Sequence, residues 1–317
     1  MRLPHLSANM VKQSHLSERM RAWWDGYYYE AEEEPEPEPE EELPEFKQTP
    51  FKTDRQAAAW SDPRLQVAEE IWGKGHWSPG GDDEVEALIR PLNLDSSMTI
   101  VDFGAALGGT TRALHKETGA WVSGFEASPL LAEAGAELSQ IAGLQKKASV
   151  EPMELKKLDL RESSFNAVFS KEVIFAMDEK EDIFKKFYDC LRTDGQLLIT
   201  DYLATKPDAS GAAVDEWIAK EPVRPNLWSL EQTRSFIADL GFEVRITEDV
   251  TPTIRKQILS ALGKFTAKID MHGTKERGWG PAILAEIELW ANRIKALESG
   301  EMAVFRIYGR KYDPSLK

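Results

Sequence analysis

The chain has 317 residues, 42% of them hydrophobic, enough for one large core with appendages. A net charge of -15 argues against a surface built for nucleic-acid phosphates, and a single cysteine, Cys190, excludes an internal disulfide and fits a reducing compartment. The chain lacks an apolar run of membrane-spanning length, a signal-peptide core and any HxxxH or CxxC spacing, so a cytoplasmic protein without a metal site is expected.

The chain opens on a polar segment to about residue 29, in which His15–Trp24 has helical potential. Trp23, Trp24, Tyr27, Tyr28 and Tyr29 put five aromatics into seven residues. Such a cluster is covered either by the protein's own core or by a partner. Glu30–Glu45 follows, a Glu/Pro run whose charges repel and whose prolines block helix and sheet, so a disordered linker is predicted. Residues 1–51 are thus expected to lie outside the folded body, and residues 1–45 form a candidate recognition element for a protein partner.

A helical lid is expected over residues 52–97. Gln56–Trp60 and Arg64–Trp72 read as short helices, the second with Leu65, Val67, Ala68, Ile71 and Trp72 apolar. Gly73–Gly81 is then a loop able to close over a ligand, or an ordinary helix connection, with Asp82 or Asp83 capping a helix through Ile89.

From residue 98 to 317 the pattern becomes α/β. Ile100, Val101 and Phe103 mark a buried strand that enters a turn of small residues, Gly104-Ala105-Ala106-Leu-Gly108-Gly109. Small residues allow close approach of backbone N–H groups to a ligand. Thr110 and Thr111 are candidate caps for a helix beginning at Arg112. A second strand over Trp121–Phe125 ends on Glu126, where a ribose-binding carboxylate belongs in a βαβ unit. A structural βαβ turn without a ligand is the alternative.

Further on, Pro129–Leu138 reads as a helix, Lys147–Val150 as the third strand and Phe165–Ser170 as the fourth, with Lys171 and Glu172 at its carboxyl end. Lys180–Leu191 is amphipathic, closed by Thr193-Asp-Gly195, and Cys190 within it reads as a packed core thiol. Gln196–Tyr202 is the fifth strand, followed by a polar insertion to about Leu227 and a helix from Ser229 through Leu240. Gly241–Ile246 and Met302–Tyr308 are the last strands, and about residues 252–297 between them read as a helical insertion that covers an edge or forms a small lid.

The strand, turn, helix, strand and acid in this order resemble the DxGxGxG region of class I methyltransferases, which use S-adenosyl-L-methionine. Asp102, Gly104 and Gly108 match that motif, Glu126 fits the ribose acid, and Ala106 stands where the middle glycine belongs. The resemblance implies a cofactor set of Asp102, Gly104, Ala105, Gly108, Glu126 and Ser170, with Glu151 or Glu154 near adenine. Gly73–Gly81, Phe169-Ser-Lys-Glu-Val-Ile and Leu197-Leu-Ile-Thr-Asp-Tyr-Leu-Ala-Thr-Lys are similar to phosphoethanolamine N-methyltransferases, over about residues 60–250 with a weaker echo around Trp279. The family implies a doubly wound, Rossmann-like sheet of seven strands with an antiparallel final hairpin, and a small amine acceptor beneath an N-terminal lid.

The resemblance breaks where that family handles its acceptor. Trp60 aligns with the catalytic tyrosine of the lid and Ala176 with its histidine partner, and neither accepts a proton. Val223, Pro225 and Ala282 replace phosphate contacts, while Tyr202 and nearby Arg224 are retained as substrate-binding candidates. Phosphoethanolamine is therefore not the expected acceptor. His76 and Glu172 are the candidate replacement bases, each with an alternative role as a loop or helix-cap residue. Two readings stand: a methyltransferase for a small molecule, by N-methylation, and a methyltransferase-like protein without turnover that binds a partner or the cofactor. A nucleic-acid methyltransferase is set aside on the charge and the absence of an NPPY-like tetrad.

Overall fold

The structure, a computed structural model, describes residues 62–206, 211–269 and 277–312. Trp60, the Glu/Pro run and the aromatic cluster lie outside the described residues.

Strands β1 (Thr99–Phe103), β2 (Trp121–Glu126), β3 (Ala148–Pro152), β4 (Phe165–Lys171), β5 (Leu191–Ala204), β6 (Phe242–Asp249) and β7 (Met302–Lys311) form one sheet in the order β3-β2-β1-β4-β5-β7-β6. The first five pair in parallel, and β7 lies antiparallel between β5 and β6. This is the doubly wound sheet with a final hairpin expected from the sequence. The central strands are continuous apolar runs because helices cover both faces: Ile100, Val101, Phe103, Ala167 and Val168 have no exposed surface. The strand order reverses between β1 and β4, which opens a crevice at their carboxyl ends.

The helices are α1 (Pro63–Trp72), α2 (Gly81–Ile89), α3 (Gly109–Thr118), α4 (Pro129–Ile141), α5 (Lys180–Cys190), α6 (Ala212–Lys220), α7 (Leu230–Asp239), α8 (Thr251–Lys268) and α9 (Gly280–Glu298). Ser229 caps α7 as expected, its Oγ accepting from the Gln232 N–H at 3.1 Å. Two expected caps are corrected. Helix α3 starts at Gly109 with Gly108 as N-cap at φ 72°, and Thr111 turns inward to bond Asp102. Helix α2 starts at Gly81, so Asp82 and Asp83 occupy its first turn, where they favour the helix dipole without capping it.

The polar insertion before residue 227 contains α6, whose Val214 and Trp217 are fully buried at an i, i+3 spacing. Its two-residue apolar stripe is too brief to stand out in a polar sequence. Helices α8 and α9 contribute more than an edge cover. Ile254, Ile258, Leu262, Ile283 and Trp290 pack with Val67, Trp72 and Trp217 into a second core cluster that also takes in Tyr202 and Val304 of the sheet. The Trp72 and Trp290 rings lie 4.5 Å apart. Aromatic pairs at such a separation stabilise by about 0.5–1.5 kcal/mol beyond their burial. This cluster fixes α9 and α1 side by side above the carboxyl ends of the strands.

Candidate active site

A cleft of about 560 Å³ opens at the carboxyl edge of β1, β2 and β4, within the size range of small-molecule sites. Its floor is the turn after β1. The Gly104 and Ala105 N–H groups both donate to the Phe125 carbonyl, at 2.8 and 3.0 Å, which folds the turn back over β2. Gly104 has φ 83°, and a Cβ there would come within 2.2 Å of Val173 Cγ2, so no larger residue fits. Ala106 takes φ 46°, the left-handed conformation that glycine adopts most easily, so the turn keeps its shape despite the alanine.

Two carboxyls organise this floor. Asp102 is 1% exposed and accepts from Thr111 Oγ1 at 2.6 Å. Burial, reinforced by the Glu126 charge, raises its pKa to about 7 against the Thr111 bond. Glu126 Oε2 accepts from the Ala106 N–H at 2.8 Å and Oε1 from the Ser128 N–H at 2.7 Å. The Ala127 N–H adds a third backbone bond, which leaves the carboxylate acceptor capacity for a hydroxyl in the cleft, and burial, outweighing these bonds, raises the Glu126 pKa.

The loop between α1 and α2 lies across this turn. Gly75 O accepts from the Gly109 N–H at 2.8 Å, and Gly75 N–H donates to Glu69 Oε1 at 2.7 Å. Arg112 braces the turn from below, donating to Leu107 O at 2.9 Å; burial lowers its pKa to about 10. His76 in the same loop bonds Asp82 Oδ1 through Nε2 at 2.8 Å, and burial depresses its pKa, so it is neutral near pH 7. Its Nδ1 packs towards Gly109, where a Cβ would stand 2.8 Å away.

The opposite wall comes from α1, the turn after β4, the segment after α6 and α9, with Arg64, Trp77, Phe175, Met177, Trp290 and Arg293 among its side chains. Its charges are paired. Arg64 Nη2 lies 3.2 Å from Glu286 Oε1, and Glu286 Oε2 accepts from Trp290 Nε1 at 3.1 Å. Arg293 makes a two-point contact with Glu221, at 2.6 and 2.9 Å, and lies over the Trp290 ring at 4.5 Å. Between floor and wall, Lys171 Nζ reaches Glu172 Oε1 at 2.8 Å, Glu84 Oε2 at 3.2 Å, Ser78 Oγ at 3.0 Å and Pro79 O at 2.8 Å. Burial opposes its charge, but the Glu172 and Glu84 carboxylates outweigh burial and hold the ammonium above its ordinary pKa. Glu172 sits at φ 57°, and its Oε2 accepts from the Tyr202 hydroxyl at 3.3 Å.

Of the residues singled out from sequence, Asp102, Gly104, Ala105, Glu126, His76 and Glu172 all line the cleft. The others do not. Gly108 faces the interior, where a Cβ would meet Val150 and Arg112, and Ser170 is buried, its Oγ bonding Phe103 O at 3.0 Å to tie β4 to β1. Glu154 points to solvent and pairs with Lys157 at 2.6 Å, because the chain leaves the sheet at Pro152 before reaching it. Tyr202 is fully buried behind Glu172, and Arg224 is exposed beside the lining residue Val223. Sequence reasoning missed Arg293, Glu221, Trp290 and Glu286. The signal for three of them was present: Glu286, Trp290 and Arg293 stand at i, i+4 and i+7 of one helix face. Among the described residues no cluster of His, Cys, Asp and Glu is arranged to hold a metal ion, and no helix is long and apolar enough to cross a membrane.

A profile for the methyltransferase domain matches residues 101–199. Phosphoethanolamine N-methyltransferase of Plasmodium falciparum is 23% identical over 202 residues, covering 63% of this chain and 74% of that enzyme. Phosphoethanolamine N-methyltransferase 3 of Arabidopsis thaliana is 25% identical over 188 residues, covering 59% of this chain and only 37% of the plant enzyme. The match therefore spans little more than a third of the plant protein. Among solved structures, phosphoethanolamine N-methyltransferase 2 of Haemonchus contortus in complex with S-adenosyl-L-methionine superposes with a TM-score of 0.67 at 20% identity, covering 81% of this chain and 57% of that one.

Proposed function

We propose that this chain, whose residues 101–199 match a methyltransferase-domain profile and whose fold is that of class I methyltransferases, binds S-adenosyl-L-methionine along the Gly104–Gly109 turn and methylates a nitrogen of a small acceptor that bears no phosphate. The observation that carries the reading is the cleft itself, in which a backbone-lined floor with a carboxylate at Glu126 runs into an aromatic wall whose cations are all bonded to carboxylates. The floor fits the cofactor: it offers backbone close to the ligand and carboxylate lone pairs for ribose hydroxyls. Arg64, 40% exposed, spends one donor on Glu286 and keeps others, whereas Lys171 and Arg293 are committed to buried glutamates, so a phosphate that took either of these two would have to break a buried pair. Such a break is costly, on the order of 3–5 kcal/mol. The wall suits a neutral, largely apolar acceptor with one nucleophilic nitrogen.

The bound sulfonium supplies an electrophilic methyl group. The chain's part is to line up the acceptor, exclude water and take a proton. Glu172 is the better placed of the two candidate bases, since it lies between floor and wall, whereas His76 turns its free Nδ1 towards the cofactor turn. Calorimetric titration with S-adenosyl-L-methionine and with its demethylated product tests the first step. Failure of both to bind the folded protein sinks the proposal. A screen of amines, phenols and thiols for demethylated product tests the second. Once an acceptor is found, Glu172→Gln should lower turnover by roughly 10²–10⁴-fold with cofactor affinity unchanged.

A second reading has a specific observation in its favour. Both Glu172 oxygens are engaged, by Lys171 and by Tyr202, and His76 is held by Asp82. These bonds favour a domain that binds the cofactor without turnover. Tight cofactor binding with no product across the whole acceptor screen supports that reading over the first.

A further inference from the structure

The described residues also form a wider groove, of about 980 Å³, that the methyl-transfer reading does not use. One wall is α8, along which Lys256, Ser260, Lys264 and Lys268 recur every fourth residue and so stand in one row. The other wall is the end of α1, with Ile71 and Trp72, and the ends of the α1–α2 loop at Gly73, Gly80 and Gly81. Arg277, stacked 4.7 Å over the Trp279 ring, closes one end. In a chain of net charge -15 this run of cations is out of keeping with the whole. Among the described residues no carboxylate stands in ion-pair contact with Lys256, Lys264 or Lys268, and Glu70 at the rim is the groove's one acid. Two lining side chains carry buried polar atoms without a hydrogen-bond partner, Trp72 Nε1 and Gln257 Oε1.

We propose that this groove is the docking site of the chain's own Glu30–Glu45 segment. The complementarity is one of charge and of spacing. Ten of those sixteen residues are glutamates, and from Glu34 to Glu40 glutamate and proline alternate. A Pro-rich strand rises about 3.1 Å per residue, so alternate glutamates are about 6.2 Å apart. Positions four apart on a helix are separated by about 6.0 Å, so Lys264 and Lys268 stand about one glutamate interval apart along the axis, and Lys256 two intervals before Lys264, with Ser260 between. The groove has cations on the α8 wall and Arg277 at its end, so glutamates projecting to different sides of the strand each meet one. Reach is ample: the stretch from Glu45 to Asp62 spans up to about 58 Å when extended, and α1, which follows at once, is itself a groove wall.

Each exposed pair contributes little, about 0.2–1 kcal/mol, so the contact depends on tethering and on low ionic strength. Occupation has a consequence for the cleft, because Gly81 lines both cavities and the loop it ends crosses the cofactor turn through the Gly75–Gly109 bond.

Carbodiimide coupling of the full-length chain, read by mass spectrometry on an equal mixture of ordinary and ¹⁵N-labelled protein, tests this. The expected result is amide links from Glu30–Glu45 to Lys256, Lys264 and Lys268 within single isotopic forms, reduced at least fivefold at high salt. Links spread evenly onto the distant Lys146, Lys147, Lys156 and Lys157, links only between mixed isotopic forms, or no links from the segment at all would each overturn the proposal. A full-length variant with Glu34, Glu36, Glu38 and Glu40 changed to Gln gives a second reading. Hydrogen exchange over residues 251–268 should quicken severalfold in that variant at low salt, and unchanged exchange counts against docking.

Discussion

The two halves of the cleft are made of different material. The floor is backbone, assembled within the short stretch from Asp102 to Ser128, and its key bonds join main-chain N–H groups to Phe125 O and Glu126. The opposite wall is side chains, drawn from elements as far apart as Arg64 and Glu286, 222 positions along the chain. A floor of that kind is specified by small residues at fixed spacing and tolerates little change. A wall of that kind is specified by which side chains occupy packed helices, and exchanging them leaves the sheet untouched. A fold built in this way can keep its floor and change its wall.

The largest effect is expected where the halves join. Lys171 is 7% exposed between Glu84 and Glu172, themselves 7% and 2% exposed. Lys171→Met leaves two buried carboxylates facing each other without their cation, which should cost about 3–5 kcal/mol in urea denaturation. A loss below about 1 kcal/mol would mean that water reaches this cluster and that the floor and wall are independent.

That join also marks the limit of what the sequence made legible. The turn after β1, the acid at Glu126 and the Ser229 cap were readable because each is a local pattern whose geometry follows from residue type, while the doubly wound sheet came from the family resemblance. Lys171 was noticed only as a polar residue at a strand end, and Glu172 there as a candidate base, with no sign that the two pair. Their partner Glu84 comes from α2, and nothing local announces a contact across that distance. Thr111 was read as a cap because a threonine near a helix start usually is one; the buried Asp102 offered it a stronger bond. Glu154 lies two residues past the end of a strand whose limit was not visible. Arg293 and Glu221 were missed because a charged residue in a helical pattern is by default solvated, and only packing against Phe175, Tyr202 and Trp290 shows otherwise.

The next effect belongs to the floor and is a pH dependence. Asp102 titrates near 7 when folded, against an ordinary value of 3.8, chiefly because burial disfavours its charge. The folded state holds the proton more tightly, so this contribution to stability is fully present below about pH 4 and is lost as the pH rises towards 7. The loss is on the order of 2–4 kcal/mol. Asp102→Asn keeps the acceptor for Thr111 Oγ1 and removes the titration. Denaturation at pH 4.5 and 7.5 should therefore show the variant gaining on the parent as the pH rises. Parallel pH profiles for the two proteins would contradict a buried, proton-holding Asp102.

A smaller effect tests whether floor and wall act separately on ligands. Glu126→Ala removes a charge-assisted acceptor for the ribose, worth about 1.5–3 kcal/mol, so affinity for S-adenosyl-L-methionine should fall roughly 10- to 150-fold. Trp290→Phe keeps an aromatic ring in the wall and should leave that affinity within about threefold. If both variants weaken the cofactor alike in folded protein, the division into backbone floor and side-chain wall fails as an account of binding.

The smallest effect concerns the single residue at which the floor departs from the glycine pattern. Ala106 holds φ 46°, a conformation that costs an L-residue with a Cβ about 1–2 kcal/mol and glycine almost nothing. Glycine loses more entropy on folding, by roughly 0.5–1 kcal/mol, which offsets much of that relief. Ala106→Gly should thus raise stability by no more than about 1 kcal/mol, a shift of a few degrees in melting temperature for a chain of this size. The group of Ala106 that organises the turn is its N–H, bonded to Glu126 Oε2 at 2.8 Å, and glycine supplies the same donor. Cofactor affinity should consequently stay within about threefold. A tenfold or greater tightening would show instead that the Ala106 methyl, which borders the cleft, obstructs the ligand. In that case the floor as well as the wall has diverged, and the reading without turnover gains at the expense of the enzyme.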